Sequence, residues 1–271
     1  MLITEYRIPL PLTVKEYRIG QLYTTMEMSK DETGGGEGVE VLENRPFEDT
    51  PLLGNTFKEG QYTHKIYHLA NKVPKYLRYL TPAGSLQFEE KAWNSFPYCS
   101  TEITNPSFMK ENFTLIVKSH HFDDDIGEQE NVHQLAPQEL QQRTVEFIDI
   151  ANDPIRPSLY NEEYDPSLYK STYTQRGHLK GDWIRTTKPI MTCYKLVYSE
   201  FKWLGLQGRV EKFIQSTERR IFFLFHRMLF CGMDSWYSIP LNHIRDLEKQ
   251  NALELQRRRR EDALRGYTET S

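Results

Sequence analysis

Residues 208–232 carry the clearest secondary-structure signal of the chain and read Gly-Arg-Val-Glu-Lys-Phe-Ile-Gln-Ser-Thr-Glu-Arg-Arg-Ile-Phe-Phe-Leu-Phe-His-Arg-Met-Leu-Phe-Cys-Gly. Apolar residues recur here at three- and four-residue spacing, which predicts a long amphipathic helix that buries one face. This apolar stripe comprises Val210, Phe213, Ile214, Ile221, Leu224, Phe225, Met228 and Leu229. Several strand-like runs precede the helix, so we expect an α+β fold with a mainly antiparallel sheet.

The other expected elements lie on either side of this helix. The expected strands are Leu2–Leu10, Val39–Leu42, Gln61–Leu69, Ala92–Thr104, Phe113–Ser119, Val145–Ile150 and Met191–Phe201. Thr13 and Glu16 form a capping box, which predicts that a first helix begins there. Its expected buried face is Ile19, Leu22, Tyr23 and Met26. A last helix is expected over Leu241–Leu264, after Pro240.

Length and organisation favour one domain. The 271 residues contain no internal repeat and no linker that divides them, so we expect a single domain over residues 1–271. Residues 151–188 are polar, contain prolines and are too long for an ordinary connection, which indicates a functional, regulatory or partly mobile region. Residues 241–271 are expected to form a C-terminal helix and a charged tail.

Charge and composition exclude several classes of protein. The 34 basic and 38 acidic residues give a net charge of −4, which argues against a nucleic-acid binder because such proteins carry a basic excess. Stretches without charged residues reach only ten residues, whereas a membrane span needs about 20 apolar ones. Secretory and lipidation signals are not seen, and the 3 cysteines form no pair in sequence. We therefore expect a cytoplasmic protein with free thiols.

Motifs for catalysis and for metal binding are weak. The glycines of 34–38 lack the Lys-Ser/Thr that completes a phosphate loop, so a turn is the better interpretation. His120 and His121 are adjacent on an expected strand and point to opposite faces, which argues against a shared metal ion. No nucleophile elbow, zinc-binding helix or dinucleotide fingerprint is present. We expect no enzymatic activity, no cofactor and no metal.

Two segments suggest lipid contact. The alternation in Gln61–Leu69 places Thr63 and Lys65 on one face, with apolar groups beyond them. This arrangement would suit a phosphate head group with an acyl chain beyond it, or it is an ordinary half-exposed strand. Trp203 and Leu204 lie just before the long helix, where they would form either a membrane-docking tip or part of the core. The basic run 257–260 fits anionic lipid contact or a solvated helix end.

At these residues the sequence resembles the class I phosphatidylinositol transfer proteins. The likeness runs from residue 2 to about residue 260. It is carried by Glu5–Arg7, Gly20–Tyr23, Glu32–Leu42, Gly60–Leu69, Glu90–Asn94, Gln129–His133, Cys193–Val197, Phe201–Trp203, Gly205–Gln207, Glu218–Arg220, Phe225–Arg227 and Leu229–Cys231. The resemblance implies a START-like helix-grip fold, in which a curved sheet and long helices enclose one lipid.

The resemblance also implies a function and its partners. The protein would transfer phosphatidylinositol and phosphatidylcholine between membranes without changing them, as a monomer that touches the membrane surface transiently. Presentation of bound lipid to lipid kinases, with little net transfer, is the alternative. An enzyme acting on phosphoinositides is a third hypothesis, but no nucleophile–base pair supports it.

Individual residues take expected roles from the same resemblance. Thr63, Lys65, Glu90, Asn94, Thr101, Lys195 and Glu248 would bind phosphatidylinositol, with Gln21 and Ser119 as weaker candidates. Cys99 and Phe225 would line the lipid cavity, residues 73–86 would be the lipid-exchange loop, and Trp203 and Leu204 would dock on the membrane.

The sequence also departs from the family pattern. The family often has a second tryptophan where this chain has Leu204. Ser171 matches a regulatory serine, but the usual basic residue two positions later is Tyr173. A Ser/Thr-x-basic pattern recurs nearby at Thr174 and Arg176, so phosphorylation at either position stays open.

Overall fold

The computed structural model of the chain describes residues 1–73, 75–82 and 84–266. Its strands are β1 (Leu2–Leu10), β2 (Gly38–Phe47), β3 (Gly60–His68), β4 (Gln87–Ser95), β5 (Tyr98–Thr104), β6 (Phe113–Asp123), β7 (Thr144–Phe147) and β8 (Met191–Phe201). Its helices are α1 (Val14–Asp31), α2 (Lys75–Leu80), α3 (Pro137–Gln142), α4 (Trp183–Thr186), α5 (Gln207–Cys231), α6 (Met233–Trp236) and α7 (Leu241–Glu261).

The strands form an open 8-stranded sheet in the order β2-β3-β4-β5-β6-β8-β1-β7. Every neighbouring pair is antiparallel except β1 and β7, which are parallel. Helix α5 packs on β1 and β8, and α1 lies between α5 and α7. The α+β expectation is therefore confirmed, and the architecture agrees with a START-like helix-grip fold.

The capping box that opens α1 is present as predicted. The Thr13 hydroxyl accepts a hydrogen bond from the Glu16 amide, and the Glu16 carboxylate accepts one from the Thr13 amide at 2.8 Å. One strand prediction is wrong, because the run Ala92–Thr104 is divided into β4 and β5. Pro97 explains the break, since a proline ring fixes φ and offers no N–H to a strand pair.

Other element boundaries also differ from the sequence prediction, among them those of β2, β7 and α7. Strand β2 continues well beyond Leu42, and β7 ends at Phe147, after which Ile148 and Ile150 pack in the core. Helix α7 ends at Glu261 rather than Leu264. Apolar residues past a strand end satisfy the same burial pattern as a strand, so sequence periodicity did not separate the two cases.

The main core lies where α1, α5 and α6 meet strands β1 and β8. Its largest fully buried side chains are Tyr6, Tyr17, Trp183, Phe230 and Trp236. Gly20 of α1 faces the Trp236 ring, and a Cβ atom there would come within 2.9 Å of it. This close approach explains why a glycine stands in the middle of a helix, where it lowers helix propensity.

The polar region 151–188 is anchored to the rest of the fold. The Arg176 guanidinium donates to both carboxylate oxygens of Glu16 at 2.8 and 2.9 Å. The Ser171 hydroxyl donates to the Asp234 carboxylate at 2.5 Å. The region therefore holds the beginning of α1 and the short helix α6 together. Within the described residues, none of the helices combines the length and apolar character needed to cross a bilayer.

The glycine-rich turn after α1 caps the end of α7. The Gly35 amide donates to the Asp262 carbonyl at 2.8 Å, and the Gly36 amide donates to the Arg259 carbonyl at 2.9 Å. Both glycines have positive φ angles, of 62° and 86°, which residues with a side chain rarely adopt. The turn thus satisfies carbonyls that the end of a helix leaves without partners.

Candidate functional site

A cavity of about 990 Å³ lies between the inner face of the sheet and helices α1, α5 and α7. Its volume is at the upper end of the range for ligand pockets, about 300–1,000 Å³. Part of the wall is apolar, and the side chains there are Phe88, Ile103, Phe113, Leu115, Val210, Phe213, Ile214 and Leu224. The rest carries polar and charged groups from several strands.

A row of polar side chains crosses four strands at this polar part. The sheet register places Asn94 opposite Cys99, Cys99 opposite Ser119, and Ser119 opposite Lys195. The Lys195 ammonium donates to the Ser119 hydroxyl at 3.2 Å and lies 5.0 Å from the centre of the Phe222 ring. Residues far apart in sequence thereby present a thiol, an amide, a hydroxyl and a cation to one volume.

Lys65 and Glu90 form an ion pair inside the cavity. They are directly opposite each other on β3 and β4, and the Lys65 ammonium lies 2.8 Å from the Glu90 carboxylate. The Tyr67 hydroxyl donates to the other Glu90 oxygen at 2.7 Å. Burial and the Glu90 charge raise the pKa of Tyr67 well above its usual value, so the hydroxyl stays protonated and can donate. The predicted placement of Thr63 and Lys65 on one face is confirmed, because both line the cavity.

The remaining predicted head-group residues line the same cavity. Thr63 and Thr101 flank Ala92 in the register across β3, β4 and β5. Gln21 enters from α1, and its side-chain nitrogen has no hydrogen-bond partner within the described protein. Glu248 enters from α7 and accepts a hydrogen bond from Arg245 at 2.6 Å. The structure thus brings all the predicted head-group residues to one volume.

The sequence analysis missed Glu218 as a cavity residue. It lies on α5 facing the cavity, and burial together with the Glu90 charge raises its pKa to about 7, although Lys195 opposes that shift. A signal was available, because Glu218 lies four residues after Ile214 and three before Ile221 in the apolar stripe. A carboxylate on the buried face of an amphipathic helix indicates a polar cavity.

Cys99 and Phe225 both line the cavity, as the resemblance implied. Burial raises the pKa of the Cys99 thiol to about 12, so it is neutral near pH 7. Tyr17 is also part of the cavity wall, and its hydroxyl lies 3.1 Å from His226 and 3.7 Å from Cys193. This buried group supports the polar part of the wall from the side of α1 and α5.

Trp203 and Leu204 have different environments although they are neighbours. Trp203 lines the cavity and packs against Phe201 and Phe108, with ring centres 6.2 and 5.7 Å away. Leu204 is fully exposed. The core interpretation therefore fits Trp203, and the docking interpretation fits Leu204.

The basic run near the C-terminus is largely engaged within the protein. Arg257 and Arg258 pair with Glu254, at 2.8 and 2.7 Å. Arg259 pairs with Glu40 at 2.6 Å and also contacts His68. Arg257 thus pairs only within the end of α7, whereas Arg258 and Arg259 take part in the packing of α7 on α1 and β2, which favours the helix-end interpretation of this run.

The candidate regulatory serine is buried. Ser171 has no solvent exposure, and the Asp234 carboxylate that accepts its hydroxyl also accepts hydrogen bonds from the Thr172 amide and hydroxyl. These hydrogen bonds lower the pKa of Asp234 to about 2. Thr174 is half-buried and donates to the Met233 sulfur. Access to the Ser171 hydroxyl therefore requires the 171–176 turn to leave Asp234.

The expected lipid-exchange loop, residues 73–86, contains α2 and lies beside the cavity, while Pro74 and Ala83 fall outside the described residues. Its base is closed by a hydrogen bond from the Leu69 amide to the Leu86 carbonyl at 3.1 Å. Val73, Thr81 and Ser85 line the cavity. The loop is therefore placed where a change in its position would alter access to the interior.

Comparison with known proteins identifies the family. The phosphatidylinositol transfer protein family model matches residues 1–253. The chain belongs to the phosphatidylinositol transfer protein family. It is 45% identical over 272 residues to human phosphatidylinositol transfer protein beta isoform, covering 98% of this chain and 97% of that protein. Phosphatidylinositol transfer protein 1 of Dictyostelium discoideum is 45% identical over 260 residues, covering 95% and 96%.

A longer relative contains the same domain. Human membrane-associated phosphatidylinositol transfer protein 2 is 44% identical over 264 residues, which covers 95% of this chain but 19% of that protein. Membership of the family agrees with the fold and with a cavity that has polar and apolar parts. Among the described residues, no group of His, Cys, Asp and Glu side chains is arranged to hold a metal ion.

Proposed function

We propose that the protein binds one phospholipid in the cavity and transfers phosphatidylinositol and phosphatidylcholine between membranes. The observation that carries the proposal is the division of one cavity of about 990 Å³ into a polar part around Lys65, Glu90 and Lys195 and an apolar part around Phe88 and Phe113. A phospholipid has the same division. No chemical change to the lipid is part of the proposal.

The apolar part supplies the driving force for extraction. A lipid monomer in water exposes its acyl chains at a cost of about 0.8 kcal/mol per CH₂ group. A protein-lined apolar volume offsets this cost without requiring the lipid to stay in a bilayer. The aromatic rings of Phe88, Phe113 and Phe225 fit this role because they are rigid and bury large areas.

The polar part supplies selectivity for the head group. Lys195, Ser119, Thr101 and Gln21 offer donors that suit the phosphate shared by both lipids. In the proposed complex, Thr63 and Lys65 hold the inositol phosphate region, and Glu90, Asn94 and Glu248 accept hydrogen bonds from inositol hydroxyls. Phosphatidylcholine has no inositol hydroxyls, so it depends less on these contacts.

Docking on the membrane is proposed to be brief and local. Leu204 projects fully into solvent beside Trp203, and a few apolar side chains at an interface give weak, reversible binding. We place the protein in the cytoplasm as a monomer that meets membranes transiently. Residues 73–86 are the proposed exchange loop.

One experiment tests the function directly. Mass spectrometry of lipid that co-purifies with the protein should detect phosphatidylinositol and phosphatidylcholine at about one lipid per chain. Vesicle-to-vesicle assays with each lipid should then show net transfer. Lipid binding without transfer would favour presentation to a lipid kinase, and a modified lipid product would favour an enzyme. Absence of bound phospholipid would refute the proposal.

A further inference from the structure

Asn105 joins two segments that border the cavity at its exchange-loop side. The residue is 1% exposed and lies just after β5. Its side-chain nitrogen donates to the Ser85 carbonyl at 2.7 Å and to the Gln87 carbonyl at 2.9 Å. Its side-chain oxygen accepts from the Phe108 and Met109 amides at 3.1 and 2.8 Å.

This amide uses its full hydrogen-bonding capacity. An asparagine side chain offers two N–H donors and one oxygen with two lone pairs, and all four are engaged here. Aspartate keeps the acceptors and loses both donors, whereas alanine loses everything. The nitrogen of the Asn105 amide therefore contacts one segment and the oxygen contacts the other. Substitution by aspartate removes the first set of hydrogen bonds and keeps the second.

One segment leads to the expected docking tip. The Phe108 ring packs on Trp203 with ring centres 5.7 Å apart, and Trp203 is followed by the fully exposed Leu204. The Lys202 amide also donates to the Asn112 carbonyl at 2.7 Å. The tip and the turn at residues 106–112 are thus in direct contact at two points.

The other segment is the base of the exchange loop. Ser85 and Gln87 flank Leu86, whose carbonyl accepts the hydrogen bond from the Leu69 amide that closes the loop. The Ser85 hydroxyl also donates to the Pro82 carbonyl at 2.6 Å. The Asn105 amide therefore holds the two residues on either side of Leu86, the residue whose carbonyl closes the base of the loop.

We propose that Asn105 is a positioning residue that couples docking of the Trp203–Leu204 tip to opening of the 73–86 loop. Movement of the tip at a bilayer displaces the Phe108 turn, the Asn105 amide releases the carbonyls of Ser85 and Gln87, and the base of the loop opens. The proposal rests on the proposed transfer function. It explains how contact at an exposed leucine opens a cavity whose loop lies on a different part of the chain.

Hydrogen exchange at the Leu69 amide tests the coupling. In the wild-type protein, vesicles of phosphatidylcholine with phosphatidylinositol should lower its protection. Asn105→Asp should lower protection about tenfold without vesicles, as expected for loss of a buried hydrogen bond, and vesicles should add little. Phe108→Ala should keep protection high with and without vesicles. Asn112→Asp is the matched control, because it adds the same charge on the 106–112 turn and should behave as wild type.

Two results with the variants, and one with the wild-type protein, would overturn the coupling. One is a folded Asn105→Asp protein that shows the wild-type response of Leu69 to vesicles. The other is a Phe108→Ala protein whose Leu69 protection still falls as in the wild type. A wild-type protein that transfers lipid without any change at Leu69 would also reject the coupling and leave the transfer function intact. Failure of wild-type transfer itself would instead refute the proposed function.

Discussion

Strands β3 and β4 carry one acid–base pair on each face of the sheet, built from adjacent residues. On the inner face Lys65 lies 2.8 Å from Glu90, and on the outer face His64 lies 2.7 Å from Glu89. The outer pair is joined by Lys91, whose side chain is 44% exposed. His64 and Glu89 are themselves only partly exposed, at 17% and 23%, so Lys91 is the one member of this outer group that reaches well into solvent.

The inner pair lies in a different environment, because it faces the cavity. Lys65 and Glu90 share a cavity with Tyr67, Glu218 and Lys195, where water is restricted and each charge requires a partner. A ligand that offers both donors and acceptors can take over those partners. The same alternating sequence thus gives one face that lines the cavity and one that does not, and the difference arises from the helices that cover the inner side.

Acidification should have the largest effect on stability, because each face of the sheet carries a buried histidine. Burial, with Lys195 opposing protonation as well, lowers the pKa of His121 on the inner face to about 3. Burial together with His120 and Lys118 lowers the pKa of His133 on the outer face to about 3. The unfolded chain takes up protons near pH 6.5, so the free energy of unfolding should fall below that pH by about 1.4 kcal/mol per unit for each histidine.

Chemical denaturation between pH 7 and pH 4 measures this slope. His133→Gln should remove the part of this slope that comes from the histidine on the outer face. Substitution of the exposed His178 by Gln should leave the slope unchanged. If His133→Gln and wild type lose stability in parallel, His133 is not buried in its neutral form.

Glu218→Gln should reveal the electrostatics of the inner face. The raised pKa of Glu218, about 7, means that the folded lipid-free protein loses stability as the pH rises from about 4.5 to 7. The variant carries no charge there, so its advantage over wild type should grow by about 1.4 kcal/mol per pH unit in this window. Unfolding of lipid-free protein at several pH values checks this. A constant difference between the two proteins would show that Glu218 is not enclosed.

Lys65→Ala and Lys91→Ala compare the two faces directly. Loss of a charge-assisted contact to a buried head group costs about 1.5–3 kcal/mol, so Lys65→Ala should reduce phosphatidylinositol transfer by about ten- to a hundredfold. Phosphatidylcholine transfer should fall less, and Lys91→Ala should change neither. Vesicle assays with both lipids measure the effect. Equal loss of both activities in folded Lys65→Ala protein would contradict its role in head-group selectivity.

Leu204→Ala should have the smallest effect, because this side chain touches neither face. A single interfacial leucine contributes about 1–2 kcal/mol at most, so transfer should slow several-fold while bound lipid stays constant. Leu204→Trp should strengthen vesicle binding in a flotation assay. Normal transfer by Leu204→Ala would place the docking site elsewhere, with residues 73–86 as the next candidate.

Local patterns in the sequence predicted much of this arrangement. The stripe of α5, the capping box at Thr13 and the alternation around Lys65 all depend on neighbours within a few residues, and all three appear in the structure. The resemblance to a family supplied the other head-group residues, and the structure places them in one cavity. Their binding roles stay predictions until lipid transfer is measured.

Long-range packing accounts for what the sequence did not predict. Glu218 was not predicted because it lies among apolar residues, and the cavity that it faces forms only when α5 packs on the sheet. Trp203 and Leu204 are equally apolar, and only the position of Phe108 separates their environments. The partners of Asn105 lie 20 residues earlier at Ser85 and come together only through the pairing of β4 and β5.

The glycine turn that caps α7 has a consequence for how sequence changes spread. Gly35 and Gly36 join the end of α7 to the start of β2, and β2 pairs with β3, which carries Thr63 and Lys65. Two backbone amides thus connect the C-terminal helix, through the pairing of β2 and β3, to the strand of the predicted head-group residues. Substituting either glycine, each of which has a positive φ, should therefore loosen the end of α7 and the start of β2 together.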